Sequence, residues 1–256
     1  MKFLQEIGSK VIGYFRNIGV VSIFFYKIFK YIFTSRWYFS VIWQQLIKIG
    51  FLSLPVVGMT AIFTGGALAL QIFVGASRYS IADTVPNIVV LGITRELGPV
   101  LTALMVAGRI GSSIAAELGT MRVTEQIDAL KTLSTNPYKY LIAPRVIASL
   151  ISLPLLTLIA DVIGIFGGYI VSVATLDFNG SSYIIKTLDF MKSEDVISGL
   201  IKSAVFGFII ASMGCYYGYY SGKGAEGVGR ATTNAVVVSS ILILLFNYLM
   251  TQIFFV

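Results

Sequence analysis

The chain of 256 residues contains no histidine, one cysteine and few charged residues. Without histidine it has no imidazole base, no serine–histidine–aspartate triad and no histidine-bound metal. Cys215 alone can form neither an intrachain disulfide nor a thiolate metal cluster. Charged residues make up 12% of the chain, whereas a soluble domain has about a quarter. The sequence therefore excludes histidine-dependent catalysis and histidine or thiolate metal sites, and it is not that of a water-soluble globule.

The sequence is rich in long apolar runs. Apolar residues account for 56% of the chain, and a membrane-spanning helix needs about 20 of them in succession. Three runs of that length carry no charge, a fourth is broken only by Asp161, and a fifth is broken by Arg95 and Glu96. The five predicted spans are 49–77, 84–108, 146–176, 203–222 and 231–256. The fold class is therefore all-α, a polytopic membrane protein with five transmembrane helices.

Residues 1–49 differ from the rest of the chain because basic residues recur among their aromatic residues. The uncharged stretch between Arg16 and Lys27 has only ten residues, too short to cross a bilayer. Basic, aromatic helices of this kind lie in the plane of the membrane interface. We therefore divide the chain into interfacial amphipathic helices over 1–49 and a five-span domain over 50–256. An additional tilted span within 1–49 is the alternative.

The net charge of +7 is unevenly distributed. Residues 1–49 carry seven basic residues and one acidic residue, and segments 120–146 and 218–230 are also net positive. Segment 177–200 has four acidic residues and two basic ones. Because positive loops stay in the cytoplasm, the alternation predicts a cytoplasmic N-terminus and a C-terminus on the outer side.

The charged pair Arg95–Glu96 stands inside a predicted span, followed by Gly98 and Pro99. Pro99 lacks an N–H and clashes with the carbonyl of Arg95, so the helix is expected to kink there, with Gly98 adding freedom. Counting from Pro86 places Arg95 about 14 Å deep. Charges at such depth face a bundle interior or a wet cavity. The pair is either a structural ion pair between helices or part of a substrate cavity, in which Glu96 holds Arg95 against an anionic head group.

Two further charged residues accompany the predicted spans. Lys202 opens the fourth span and either extends to the outer head groups or adds a second cation to the cavity of Arg95. Asp161 could pair with a cation or carry protons, although no histidine accompanies it. An ion-coupled secondary transporter using Arg95, Glu96 and Asp161 is therefore the alternative function.

A short helix is predicted between the second and third spans, near 123–134. Thr124 can cap it, Glu125 and Asp128 suit its positive N-terminal end, and it should end before Asn136–Pro137. This is either an ordinary capped loop helix or one that takes force from a soluble motor. No Walker A motif is present, because segment 218–223 is one residue short of the required spacing.

Small residues recur at four-residue spacing, which lets helix backbones approach closely in lipid. They are Gly111, Ala115 and Gly119; Gly164 and Gly168; and Gly214, Gly218 and Gly222. The pattern predicts helix packing rather than a binding site.

The longest motif is the run that begins Arg95-Glu-Leu-Gly-Pro-Val-Leu-Thr-Ala-Leu and continues with Ala107-Gly-Arg-Ile-Gly-Ser. It goes on with Ala115-Ala-Glu-Leu-Gly-Thr-Met-Arg-Val-Thr-Glu-Gln-Ile-Asp-Ala-Leu130, Asn136-Pro and Pro144-Arg. This run resembles the MlaE-type permeases, the membrane subunits of phospholipid ABC transporters associated with MCE proteins. The strong resemblance covers about 50 residues, and chain length and span pattern agree over the rest.

The resemblance implies a permease homodimer with a lipid cavity at its two-fold interface, in a multi-pass chain of the bacterial inner membrane. It implies a cytoplasmic ABC ATPase that holds ATP and Mg²⁺, a periplasmic MCE-domain protein and, in many members, a STAS-domain protein. Such a chain is not itself an enzyme, binds no cofactor, metal or nucleic acid, and moves phospholipid in the maintenance of outer-membrane asymmetry.

The resemblance also suggests roles for particular residues. Arg95, Glu96 and Lys202 correspond to charges of the lipid cavity. The coupling helix that sits in the ATPase corresponds to Glu125, Gln126, Ile127 and Asp128. The family often has an acidic residue late in the final span, where this chain has Asn247, so whether Asn247 joins the cavity is left open.

Overall fold

The structure, a computed structural model, describes residues 19–33 and 38–255. Throughout these residues the regular structure is helical, with no strand. Five helical stretches are long and apolar enough to cross a membrane, namely Phe39–Ser77, Ala82–Val123, Tyr138–Thr175, Ser193–Tyr219 and Gly224–Phe255. The predicted all-α fold with five spans is confirmed, and we number these stretches as the first to fifth spans.

The first two spans are built from several shorter helices. After the helical residues 19–33 (α1), the first span consists of α2 (Phe39–Ile49), a 3₁₀ turn (Phe51–Ser53) and α3 (Leu54–Ser77). The second span contains α4 (Val85–Gly92), α5 (Gly98–Val106) and α6 (Ser112–Val123). Two π-helical turns, Ile93–Leu97 and Ala107–Gly111, join these three helices.

The remaining helices are more regular. The short α7 (Gln126–Thr132) precedes a third π-turn (Tyr138–Ile142) and α8 (Ala143–Thr175), which form the third span. Then follow α9 (Gly180–Phe190), α10 (Ser193–Tyr219) and α11 (Gly224–Phe255). Because the third span separates α7 from α9, the two short helices lie at opposite ends of the bundle, here called the α7 end and the α9 end.

The helices extend beyond the apolar runs that predicted them. The fourth span begins at Ser193 rather than at residue 203, and the second continues to Val123 rather than to residue 108. Glu117, in the extended part of the second span, is accommodated because Lys48 of the first span and Arg145 of the third form ion pairs with it. At the α9 end, Lys186 of α9 forms an ion pair of 3.0 Å with Asp83, next to the start of α4.

Close packing of the spans depends on glycine. A Cβ atom on Gly65 of α3 would lie 1.8 Å from the carbonyl oxygen of Gly164 in α8. On α10, a Cβ atom at Gly218 would lie 2.9 Å from the carbonyl oxygen of Ala115 in α6. The four-residue spacing of small residues thus corresponds to contacts between backbones.

The helical residues 19–33 pack on the α7 end of the bundle. The buried ring of Phe24 lies 5.7, 5.3 and 6.0 Å from the rings of Tyr138, Tyr216 and Tyr220. Residues 1–18 and 34–37 lie outside the described residues, and with them Lys10, Arg16 and Arg36. The assignment of 1–49 to the membrane interface, which overlaps the first helical stretch over residues 39–49, stays a prediction.

Candidate functional site

The first π-turn of the second span positions Arg95 and Glu96. The N–H of Gly98 donates to the carbonyl of Ile93, five residues earlier, and Pro99 lies in the first turn of α5. The interruption predicted at Gly98 and Pro99 therefore takes the form of a π-turn rather than of a simple proline kink. Such turns are frequent at functional sites.

Lys202 is fully buried at the centre of a network of polar side chains, which we call the Glu96 network. Its members are Arg95, Glu96, Asp195, Lys202, Asn247 and Thr251. Its Nζ donates to the carbonyl of Arg95 at 2.9 Å, to Oε1 of Glu96 at 2.8 Å and to Oγ1 of Thr251 at 2.7 Å. All three ammonium donors thus have acceptors. The expectation that Lys202 opens the fourth span is wrong, because α10 begins more than two turns earlier. Of the two alternatives, the structure brings Lys202 to the intramembrane charges and not to the head groups.

The carboxylate of Glu96 joins three spans. Besides Lys202 of α10, it accepts hydrogen bonds from Nδ2 of Asn247 and Oγ1 of Thr251, both at 2.7 Å and both in α11. The sequence leaves open whether Asn247 joins these charged residues. The hydrogen bond to Glu96 places it in the Glu96 network. Sequence reasoning did not identify Thr251, although it follows Asn247 by four residues and so shares its helix face.

Arg95 pairs with α10 and not with Glu96. Its Nε donates to Oδ1 of Asp195 at 2.7 Å, and its guanidinium lies 3.9 Å from the centre of the Phe255 ring. The expectation that Glu96 holds Arg95 is therefore wrong, since neighbouring residues of a helix do not face one another. The sequence did not identify Asp195, in the acidic first turn of α10, or Phe255 as a partner of Arg95.

The Glu96 network balances two cations with two carboxylates and remains partly open. The side chain of Asp195 is 3% exposed and that of Lys202 is 0% exposed, whereas Arg95 and Glu96 keep 30% and 37% of their side chains accessible. Lys202 and Asp195 thus fix the network from inside. Parts of the Arg95 and Glu96 side chains therefore remain accessible although both groups are hydrogen-bonded.

Asp161 lies beside this π-turn but outside the network. Its side chain is buried against Gly98, where a Cβ atom would lie 1.8 Å from Oδ1 of Asp161. Among the described residues, neither of its carboxylate oxygens has a hydrogen-bond partner. Over residues 19–33 and 38–255, no three histidine, cysteine, aspartate or glutamate side chains form a group that could hold a metal ion.

The short helix α7 begins later than predicted and without the predicted cap. Thr124 ends α6, where its hydroxyl donates to the carbonyl of Thr120 at 2.9 Å. Glu125 adopts a left-handed conformation with φ of 60° before α7 begins. The role of Thr124 as N-cap is therefore wrong, because Glu125 turns the chain and Thr124 belongs to the preceding helix.

The four residues assigned to ATPase coupling have different environments. Glu125 and Gln126 are exposed, whereas Ile127 is fully buried in the hydrophobic core. Asp128 accepts hydrogen bonds from Lys131 at 2.7 Å and from Arg122 at 2.8 Å. The hydrogen bond from Lys131, together with the charge of Arg122, lowers the pKa of Asp128, and the same bond raises the pKa of Lys131.

Comparison with known proteins identifies the family. A protein-family model described as "Permease MlaE" matches residues 42–253, most of the chain. The chain belongs to the MlaE permease family. It is thus a permease subunit, the non-catalytic, multi-pass membrane component of an ABC transporter.

Individual relatives agree with this assignment. The chain is 57% identical over 255 residues to a "Probable ABC transporter permease protein" of Rickettsia bellii, covering 100% of this chain and 98% of the relative. It is 32% identical over 256 residues to the "Intermembrane phospholipid transport system permease protein MlaE" of Haemophilus influenzae, covering 100% and 98%. It is 39% identical over 212 residues to "Protein TRIGALACTOSYLDIACYLGLYCEROL 1, chloroplastic" of Arabidopsis thaliana, covering 83% and 61%.

Proposed function

We propose that this MlaE-family chain moves phospholipid between the bacterial inner membrane and a periplasmic MCE-domain protein, driven by ATP hydrolysis in a partner ATPase. The observation that carries the proposal is the partial opening of the Glu96 network inside the membrane. A guanidinium and a carboxylate that stay accessible there suit a zwitterionic or anionic head group. The name of the Haemophilus relative, a phospholipid transport permease, supports the same substrate class.

The residues of the network have distinct proposed roles. Arg95 binds the lipid phosphate, because a guanidinium offers several donors in a fixed plane. Glu96 contacts the remainder of the head group. Lys202 is enclosed and acts through Glu96, so it is a positioning residue rather than a direct ligand.

A second copy of the chain would enclose the lipid. The network includes Asn247 and Thr251 of α11, and large apolar residues of α11 are exposed in the single chain. They include Ile241, Leu244, Leu245, Tyr248 and Leu249. A homodimer built on α11 would cover this surface and turn the open side of the network into a shared cavity.

The α7 end faces the cytoplasm in this proposal, because segment 120–146 is net positive. The N-terminus is then cytoplasmic and the C-terminus periplasmic. The ATPase, which holds ATP and Mg²⁺, docks on α7, with a STAS-domain protein as a further partner, and the MCE-domain protein sits at the α9 end. Glu125 and Gln126 contact the ATPase, whereas Ile127 and Asp128 hold α7 in place.

A charge reversal at Glu125 tests the coupling role. In the assembled complex, we expect Glu125→Lys to abolish lipid-stimulated ATP hydrolysis while the permease still inserts in the membrane. Glu226→Lys, a reversal at an exposed position of α11 outside α7, is the matched control and should leave hydrolysis unchanged. Normal stimulation of the Glu125→Lys complex would exclude Glu125 from coupling.

Lipid occupancy and transfer test the substrate role. We expect Arg95→Ala to reduce the phospholipid that co-purifies with the dimer and to slow ATP-dependent transfer of labelled phospholipid, whereas Arg78→Ala does neither. Unchanged occupancy and transfer would remove Arg95 from the site. Transfer driven by a proton gradient in liposomes without the ATPase would instead support the ion-coupled alternative.

A further inference from the structure

A second group of charged side chains, which we call the Arg109 cluster, lies toward the α7 end of the bundle. It comprises Lys48 in the last turn of α2, Arg109 in the second π-turn, Glu117 of α6 and Arg145 in the first turn of α8. Hydrogen bonds through Ser53 and Glu117 connect all four residues to the end of α2.

Glu117 is the carboxylate of this cluster, and both of its oxygens already have partners. Oε1 accepts from Nζ of Lys48, and Oε2 accepts from Nη2 of Arg145 at 3.2 Å. The side chain of Arg145 is 6% exposed, and its Nη1 donates to the carbonyl of Leu141 at 2.7 Å. Its Nε has no hydrogen-bond partner among the described residues. A buried guanidinium therefore still has an unused donor.

Arg109 has only a neutral acceptor among the contacts that the structure describes. Its Nη1 donates to Oγ of Ser53 at 2.7 Å, and that hydroxyl donates in turn to the carbonyl of Ile49 at 2.6 Å. No carboxylate in residues 19–33 and 38–255 forms an ion pair with Arg109. Three cations and one carboxylate give the cluster a charge of +2, and such an excess of positive charge favours the binding of an anion.

The position of the cluster indicates where that anion comes from. Counting from Pro86, Arg109 lies about 35 Å along the second span, so it passes the hydrocarbon core of roughly 30 Å and reaches the head-group layer at the α7 end. The side chains of Lys48 and Glu117 are 41% and 29% exposed. Next to them, Phe51 and Leu52 present exposed apolar side chains. A partly exposed cationic cluster beside an apolar surface at this depth matches a lipid with its phosphate on the cluster and its acyl chains on the surface.

We propose that the Arg109 cluster binds the phosphate of an anionic phospholipid from the lipid-facing side of α2 and α6. It is a lipid site separate from the Glu96 network, which lies about 21 Å away along the second span. This site does not depend on the proposed transport function, because the cluster would bind its lipid whether or not the chain moves lipid.

Native mass spectrometry of the full-length chain, delipidated in detergent, tests the site. Dioleoyl phosphatidylglycerol and dioleoyl phosphatidylcholine are titrated separately, so that acyl chains are matched and only the head-group charge differs. We expect tighter binding of phosphatidylglycerol, and we expect Arg109→Gln to weaken it about tenfold, the value of one charge-assisted hydrogen bond. Lys48→Gln is a second variant at a more exposed position, and Arg78→Gln is the control that removes one arginine elsewhere.

The possible outcomes separate this proposal from others. Wild-type preference for phosphatidylglycerol in both Arg109→Gln and Lys48→Gln would overturn the site. The alternative ligand of the cluster is inorganic phosphate without lipid. If it raises the melting temperature of the wild-type chain and not that of Arg109→Gln, the cluster binds a free anion and the lipid proposal is overturned. In Arg95→Gln, retained preference for phosphatidylglycerol is expected, and its loss would assign the bound lipid to the Glu96 network instead.

Discussion

The second span carries two charged π-turns, which differ in whether other residues of the chain balance their charges. Around Ile93–Leu97, Arg95 pairs with Asp195 and Glu96 with Lys202, so cations and carboxylates balance. Around Ala107–Gly111, Arg109 donates to the neutral hydroxyl of Ser53, and the nearby Lys48 and Arg145 share the single carboxylate of Glu117. The two groups thus differ in net charge although each is built on a π-turn of the same helix.

This difference shows what determines the role of a charge inside a membrane protein. In a low-dielectric interior every charge needs compensation. Where the chain itself supplies the partner, the group is stable alone and holds the spans together. Where the chain supplies only part of it, the surrounding lipid has to supply the rest. Net charge of a cluster, rather than the presence of charge, therefore indicates a dependence on an external anion.

The largest expected effect is that of Glu96→Gln. The substitution leaves the fully buried Lys202 without its carboxylate, and the value for breaking a buried pair, about 3–5 kcal/mol of unfolding free energy, is the upper limit because Glu96 is 37% exposed. Unfolding of the purified chain in detergent, followed by circular dichroism, would measure the loss. We expect added phosphatidylglycerol not to restore it, because the missing partner is internal.

The double variant Glu96→Gln with Lys202→Met is the control for this prediction. It removes both charges and keeps a long apolar side chain, so most of the lost stability should return. A double variant as unstable as Glu96→Gln alone would show that the pair is not what couples the spans.

A smaller effect is expected for Glu117→Gln. Lys48 and Arg145 then lose their shared carboxylate, at a cost of about 1.5–3 kcal/mol for hydrogen bonds to charged groups. Here phosphatidylglycerol should restore part of the stability, which distinguishes the Arg109 cluster from the Glu96 network. The same detergent unfolding experiment with and without phosphatidylglycerol measures both, and an equal response of Glu96→Gln and Glu117→Gln to lipid would contradict the distinction.

The number of spans was predictable because hydropathy is a local property of the sequence. The interruption at Gly98 and Pro99 and the close contacts of glycines between spans were also predictable, because both follow from local residue patterns. For Lys202 the sequence left two alternatives, and its hydrogen bonds to Arg95 and Glu96 decide between them, because a buried cation needs acceptors.

The pairing of these charges was not predictable, because each partner is distant in the sequence. Glu96 and Asn247 are 151 residues apart, and Arg95 and Asp195 are 100 residues apart. Which carboxylate meets which cation depends on helix rotation and on where α10 begins, and neither can be read from hydropathy. The start of α7 was missed for a local reason, since the left-handed backbone of Glu125 has no signature in the sequence.

The smallest effect concerns a charge pair that faces water. Asp128 and Lys131 of α7 are each about half exposed, and water screens such pairs strongly. The lowered pKa of Asp128 means that its contribution to α7 is fully present above the ordinary aspartate pKa and is lost as the pH falls through the lowered value. Lys131 stays protonated throughout this range.

Hydrogen exchange of α7 amides between about pH 5 and about pH 2, corrected for intrinsic rates, should therefore show reduced protection only at the acidic end. Asp128→Asn should lack this transition, and the control Asp189→Asn should keep it. A loss of protection that also spreads through α10 would contradict the prediction, because it would mean that the exposed Asp128–Lys131 pair stabilises the whole bundle and not α7 alone.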